Sequence, residues 1–332
     1  MVFLVYLFLF SIAIVSQSYF SIRSARLYYL LAAILGVFLS LVIRSTAVAE
    51  DSDIGSYNFF MKIDATVQNQ KFEPVVWEAQ KFLYALIGSE SRVFMITDIF
   101  ALFVLAVGLK LTYDGSTKVT CCYGTQQYGF LLGLFALTLS LFPNILGMHA
   151  IYRQWVASVM VIFALAAIIK SKPIGWGAYI IAVMSHNVSF TALPLMLTLG
   201  RYSRLSQFLS VVFVVIATIF LKDFKSSTVA GELSPFILSY IISCIFSFII
   251  IIGKKKSLLS WVFLWSIVLV VCSPFILNSN ESMRLQYFFL AILFPWTWII
   301  FISKVKNSRA VKSFLCTAVF MASMYFGSGF VF

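Results

Sequence analysis

Apolar runs as long as a bilayer is thick follow one another along this chain, and charged residues are largely confined to the gaps between them. Crossing roughly 30 Å of hydrocarbon takes about 20 apolar residues in a helix. Backbone in lipid must satisfy its own hydrogen bonds, so runs of this length read as helices. Strands of a barrel would alternate apolar and polar side chains, and these runs do not. With 61% hydrophobic and 11% charged residues over 332 positions, the reading is a single all-α polytopic membrane domain, 1–332.

Ten spans are expected, at about 1–19, 27–43, 93–110, 127–143, 151–169, 206–221, 234–253, 257–277, 284–303 and 312–330. The opening "MVFLVYLFLFSIAIV" has neither the basic start nor the cleavage site of a signal peptide and reads as a retained first span. A net charge of +12 would point a soluble protein towards nucleic acid. Here it follows from the excess of Lys and Arg in cytoplasmic loops, and no nucleic-acid partner is expected. The five cysteines show no metal-ligand spacing, so neither a metal site nor a disulfide framework is implied.

The uncharged stretch from Pro173 to Gly200 stands apart, because "SHN" at 185–187 falls near its middle. Were it to cross once, the clusters Arg201/Arg204 and Lys254–Lys256 would fall outside, against the charge rule. If it enters and returns, those clusters and Arg23/Arg26, Lys110/Lys118, Lys170/Lys172 and Lys304–Lys312 all become cytoplasmic. Charge therefore favours a re-entrant hairpin with His186 at its tip, over one long tilted helix. Both termini and the loop 44–92, which holds seven of the twelve acidic residues, then lie outside.

That loop carries two candidate amphipathic helices. One starts at Asp53 with Tyr57, Phe60 and Met61 on a face; the other starts at Pro74, with Val75, Val76, Ala79, Phe82, Leu83 and Leu86 at helical spacing and Gly88 as stop. Asp53 and Glu73 read singly as helix-start residues. "MHAIYRQWVASVM" opens the fifth span, with His149 and Arg153 four apart on one face and Gln154 beside them. Arg44 ends the second span and Arg284 starts the ninth, so three arginines share one depth. Asp98, inside the third span, either caps its first turn or pairs with one of them.

Guanidinium groups bind phosphate bidentately and stay charged at any working pH. Several at the outer leaflet suit a polyisoprenoid pyrophosphate whose tail stays in lipid. As a glycosidic bond to that phosphate breaks, charge grows on the leaving oxygen and preplaced cations stabilise it. The acceptor hydroxyl needs a base, for which His186 or Asp53 is available.

The order of elements — Arg44, "DSDIGSYNFF", "FEPVVWEAQKFL", "YRQWVASVMVIFALAAI", "MSHNVSFTALPLML" and the arginine of "MRLQYFF" — resembles the EpsG family of bacterial polysaccharide polymerases, relatives of the O-antigen polymerase Wzy. The resemblance spans roughly 40–290, and the histidine here is followed by Asn-Val-Ser instead of an immediate Ser. It implies a GT-C-like, metal-independent glycosyltransferase in the bacterial inner membrane, with its active site facing the periplasm and no cofactor. Its substrate would be an undecaprenyl-pyrophosphate-linked oligosaccharide, and a chain-length regulator is a further candidate partner. The resemblance carries over His186, Asp53 and Arg153 as catalytic residues, and Arg44, Tyr57, Glu73, Gln154 and Arg284 as substrate-binding residues. A lipid-linked oligosaccharide flippase or other transporter is the main alternative, since transporters also carry broken helices; a surface-sugar acyltransferase is the weaker one.

Overall fold

The computed structural model describes residues 2–18, 22, 24–45, 54–55, 58, 61, 74–117, 127–149, 151–222, 273, 279–304 and 309–331, and every regular element among them is helical. In chain order these are α1 (Val2–Ser18), α2 (Ala25–Ser45), α3 (Pro74–Ile87), α4 (Glu90–Thr117), α5 (Gln127–Ser140) and α6 (Phe142–His149). There follow α7 (Tyr152–Ile169), α8 (Ile174–Ser185), a 3-10 turn (Asn187–Ala192), α9 (Leu193–Leu199), α10 (Arg204–Lys222), α11 (Ser279–Lys304) and α12 (Arg309–Val331). Among them α2, α4 and α7 are long and apolar enough to cross a membrane, and the bent pair α5–α6 makes a fourth if taken as one span. These helices mark a helical membrane protein. Of the ten expected spans, 234–253 and, apart from Ser273, 257–277 lie outside the described residues.

α7 is the central post. Its residues are 78% buried, because "WVASVMVIFALAAI" is apolar on every side, the pattern of a helix surrounded by others. It packs against α4, α6, α8, α9 and α11. Close approach to α4 depends on Gly108, where a Cβ would sit 3.2 Å from the backbone of Phe163.

Side-chain contacts fix the helix directions. Tyr28 Oη donates to the Ala106 carbonyl and Arg44 meets Asp98, so α2 is antiparallel to α4. Thr97 meets Tyr152 and Gly115 meets Ile169, so α4 and α7 run parallel. One end of the bundle therefore holds the end of α2 and the starts of α4, α7 and α11. The opposite end holds Arg26, Lys110, Lys170, Lys172, Arg201 and Arg204, six members of the clusters that set the expected orientation.

The chain does fold back around His186. Tyr179, on α8, donates to the carbonyl of Phe190, in the 3-10 turn, at 3.1 Å. Trp176, near the start of α8, lies edge-on to Tyr202, past the end of α9, with centroids 5.7 Å apart. A straight helix would separate those rings by about 39 Å at 1.5 Å per residue. Lys172 and Arg204 are both exposed at the same end, as the charge pattern required.

The expected fourth span, 127–143, ends at a break: α5 and α6 meet at 63° at Pro143, which has no N–H to continue the ladder. The Thr138 carbonyl at that break accepts from Asn144 Nδ2 at 2.6 Å and from the Leu141 N–H at 3.2 Å. One expectation needs correction: His149 and Arg153 do not share a helical face. His149 ends α6 and Arg153 belongs to α7, and Ile151 between them is non-helical (φ −114°, ψ 59°).

Candidate functional site

Four helix ends converge where α7 begins, and three successive residues of its first turn face three different partners. Tyr152 meets α4 and Arg44; Arg153 meets α3; Gln154 meets α11. Successive residues on a helix point about 100° apart, so a buried helix start can join three neighbours in this way.

At the Tyr152 corner, Arg44 Nε donates to Asp98 Oδ2 at 2.9 Å and Nη2 donates to Oδ1 at 2.8 Å. The Ser40 hydroxyl donates to Oδ2 at 2.7 Å. The two charged side chains are 6% and 0% exposed. The guanidinium lies 4.8 Å from the Phe94 ring centroid and 5.3 Å from that of Tyr152, whose hydroxyl is 2.6 Å from Thr97 Oγ1. The pairing resolves the two readings of Asp98, which lies more than two turns inside α4 and caps nothing. It also uses two of the three nitrogens of Arg44. Only Nη1 is left, buried and without a hydrogen-bond partner.

The Arg153 corner differs. Its guanidinium stands 5.3 Å from the ring centroid of Trp77 on α3, where cation and ring quadrupole attract. α3 forms where expected: Pro74 is at the first helical position, and Gly88 at φ 68° ends it. Val76, Trp77 and Gln80 are buried, whereas Phe82 and Leu86 are 64% and 67% exposed. In a membrane setting apolar surface is stable facing outwards, so the exposure of Phe82 and Leu86 suits a helix beside lipid. The Gln80 amide is fully buried, and neither Nε2 nor Oε1 has a partner; an unpaired buried polar group costs about 1–3 kcal/mol.

At the third corner, Gln154 Nε2 donates to the main-chain carbonyl of Arg284 at 2.6 Å, while its buried Oε1 has no partner. This bond fixes the first turns of α7 and α11 side by side. The Arg284 side chain is half-buried, and among the described residues no hydrogen bond or ion pair reaches its guanidinium.

His186 is 6% exposed and extended (φ −156°, ψ 125°), which ends α8 and starts the 3-10 turn. Its Nδ1 accepts from the Val188 N–H at 3.2 Å. The neutral imidazole therefore carries its proton on Nε2. α8 rises about 18 Å alongside the 27 Å or so of α7, so His186 stands level with the second or third turn of α7, below Arg153.

The structure thus gathers Arg153, Gln154 and Arg284, with Arg44 one residue away through Tyr152. Asp53, Tyr57 and Glu73 lie outside the described residues. Trp77, Gln80, Ser40, Thr97 and Tyr152 complete the cluster without having been singled out in the sequence. The pair Trp77 and Gln80, one turn apart, was the available signal. No known protein family, curated protein or solved structure matches the chain.

Proposed function

We propose that the chain is a membrane polymerase of lipid-linked oligosaccharide repeat units, building an O-antigen, capsule or similar polysaccharide. It transfers the growing glycan from undecaprenyl pyrophosphate to the non-reducing end of a second lipid-linked unit. The observation that carries this reading is the Gln154 bond, which sets the backbone at Arg284 beside the turn that carries Arg153, at the end of the bundle opposite the basic loops. Two guanidiniums held at that depth suit a diphosphate whose tail stays in lipid. The ten-span, GT-C-like architecture in a bacterial inner membrane, with a periplasm-facing site, belongs to the same proposal.

In the reaction the acceptor hydroxyl oxygen attacks the anomeric carbon, and the carbon–oxygen bond to the diphosphate breaks. The electron pair leaves on the diphosphate, where Arg153 and Arg284 meet the growing charge. His186, with its proton on Nε2, supports a donor's role towards the leaving oxygen. Asp53 is then the base that takes the acceptor's proton, with Tyr57 and Glu73 contacting sugar. Arg44, already held by Asp98, positions Tyr152 and the start of α7 instead of binding substrate. The polar groups gather towards one end, which favours this reading over a transporter with access from both sides.

The test is a deletion strain of the source organism. Loss of the polymerase leaves single repeat units on the final acceptor, whereas loss of a flippase leaves none. Complementation with Arg153→Ala or His186→Ala, each protein inserted at normal level, should leave the single-unit pattern. A normal ladder of chain lengths from either variant overturns the scheme.

A further inference from the structure

We propose that the inward face of α3 is a saccharide subsite, with Gln80 as its hydrogen-bonding residue. The inference rests on the reading of Arg153 and Arg284 as diphosphate ligands and names what binds beside them.

Gln80 is 0% exposed, and neither atom of its amide meets a partner. Most buried amides in a folded protein are paired. This one sits on the same helical face as Trp77, one turn away, and that face packs against α4 and α8. Trp77 in turn holds the Arg153 guanidinium beside its ring. A second unmet acceptor, Gln154 Oε1, belongs to the residue next to Arg153. Gln80, one turn from the ring that Arg153 stands beside, thus has both amide atoms unused, and Gln154, next to Arg153 in the chain, has its oxygen unused.

A carboxamide offers one acceptor oxygen and two N–H donors from a single plane. Neighbouring hydroxyls of a pyranose match that set: one donates to the oxygen and the next accepts from the nitrogen. Phosphate lacks the donor, and an acyl chain lacks both. The ligand class is therefore an uncharged saccharide bearing vicinal hydroxyls, adjacent to the diphosphate. Gln80 has no charge to offer an acidic group, and in this arrangement it contacts sugar without touching the reacting atoms.

The experiment uses the full chain in lipid nanodiscs and two probes. One is bare undecaprenyl pyrophosphate; the other is the lipid-linked repeat unit extracted from a strain lacking the polymerase. Gln80→Met keeps the length of the side chain and removes both polar atoms. It should bind the bare lipid diphosphate as the wild type does and the lipid-linked unit roughly tenfold more weakly, with an unligated melting temperature equal or higher. Gln80→Glu keeps the acceptor and loses the donors; should Gln80→Met fail to fold, its binding of the two probes decides in the same way. Unchanged binding of both probes by the folded variant overturns the subsite and leaves the diphosphate reading standing. Wild-type protein that binds neither probe sinks the diphosphate reading first, and the subsite with it.

Discussion

Arg44 and Asp98, fifty-four residues apart in sequence, meet through two parallel hydrogen bonds inside the bundle. Neither charge reaches solvent, so each is tolerable only because of the other. The pair also ties the end of α2 to α4 beside Tyr152, from which α7 starts.

Removing one partner should therefore cost more than removing both. Asp98→Asn or Arg44→Met leaves a buried group unpaired, and each should lower stability by about 3–5 kcal/mol. The double variant Arg44→Met with Asp98→Leu should recover most of that loss, and polymer synthesis with it, because Arg44 acts through position. Melting temperatures of the four proteins in one detergent, alongside polysaccharide ladders, check both parts. Recovered stability without recovered polymer would make Arg44 a substrate ligand after all.

The Gln154–Arg284 bond makes a second, sign-dependent prediction. Gln154→Leu loses one hydrogen bond to a carbonyl and should cost about 1 kcal/mol. Gln154→Glu sets a carboxylate against that same carbonyl oxygen and beside the two arginines assigned to the diphosphate. It should weaken binding of undecaprenyl pyrophosphate further than Gln154→Leu does. A titration of both variants with the bare lipid gives the order, and the reverse order removes Gln154 from the diphosphate site.

Much of this arrangement was legible in the sequence, and the illegible parts have separate physical causes. Helix positions follow from apolar runs, and the return of the chain at His186 follows from where lysine and arginine lie at 170–172 and 201–204. The Arg44–Asp98 pairing was open, since no local spacing links two residues so far apart. The spacing of apolar residues on α3 did not say which side faces the bundle, because an apolar stripe points to the core only when the surroundings are water. Beside lipid, Phe82 and Leu86 turn out and Gln80 turns in. Pro143 did mark the break of α5 and α6, but a proline alone fixes no angle, and Asn144 serves the Thr138 carbonyl in the last turn before it.

His186 is predicted to act as a donor, and two isosteric replacements separate donor from base. Asn in its place can still accept from the Val188 N–H and hold the turn, but it reaches no further. Gln extends an NH2 towards the position of Nε2. His186→Asn should fold and lose polymer synthesis, while His186→Gln keeps a measurable share. In the wild-type protein, 15N shifts of the imidazole should report the Nε2–H tautomer. A proton found on Nδ1 would contradict the Val188 contact and make the ring a base at Nε2.

The fold-back predicts where two exposed basic residues can be reached. Lys172 precedes α8 and Arg204 opens α10, and the edge-on contact of Trp176 with Tyr202 draws the chain together between them. In a cysteine-free background, Lys172→Cys and Arg204→Cys should both react with a membrane-impermeant maleimide from the same side. That side should be the cytoplasmic one, since inverted vesicles expose it and intact cells do not. A cysteine placed at the exposed Met184, near the tip, should resist the reagent from the cytoplasmic side. Labelling of 172 and 204 from opposite sides would mean that this stretch crosses the bilayer. His186 would then stand in the middle of a span, and the approach of the hairpin tip to the diphosphate arginines would be lost.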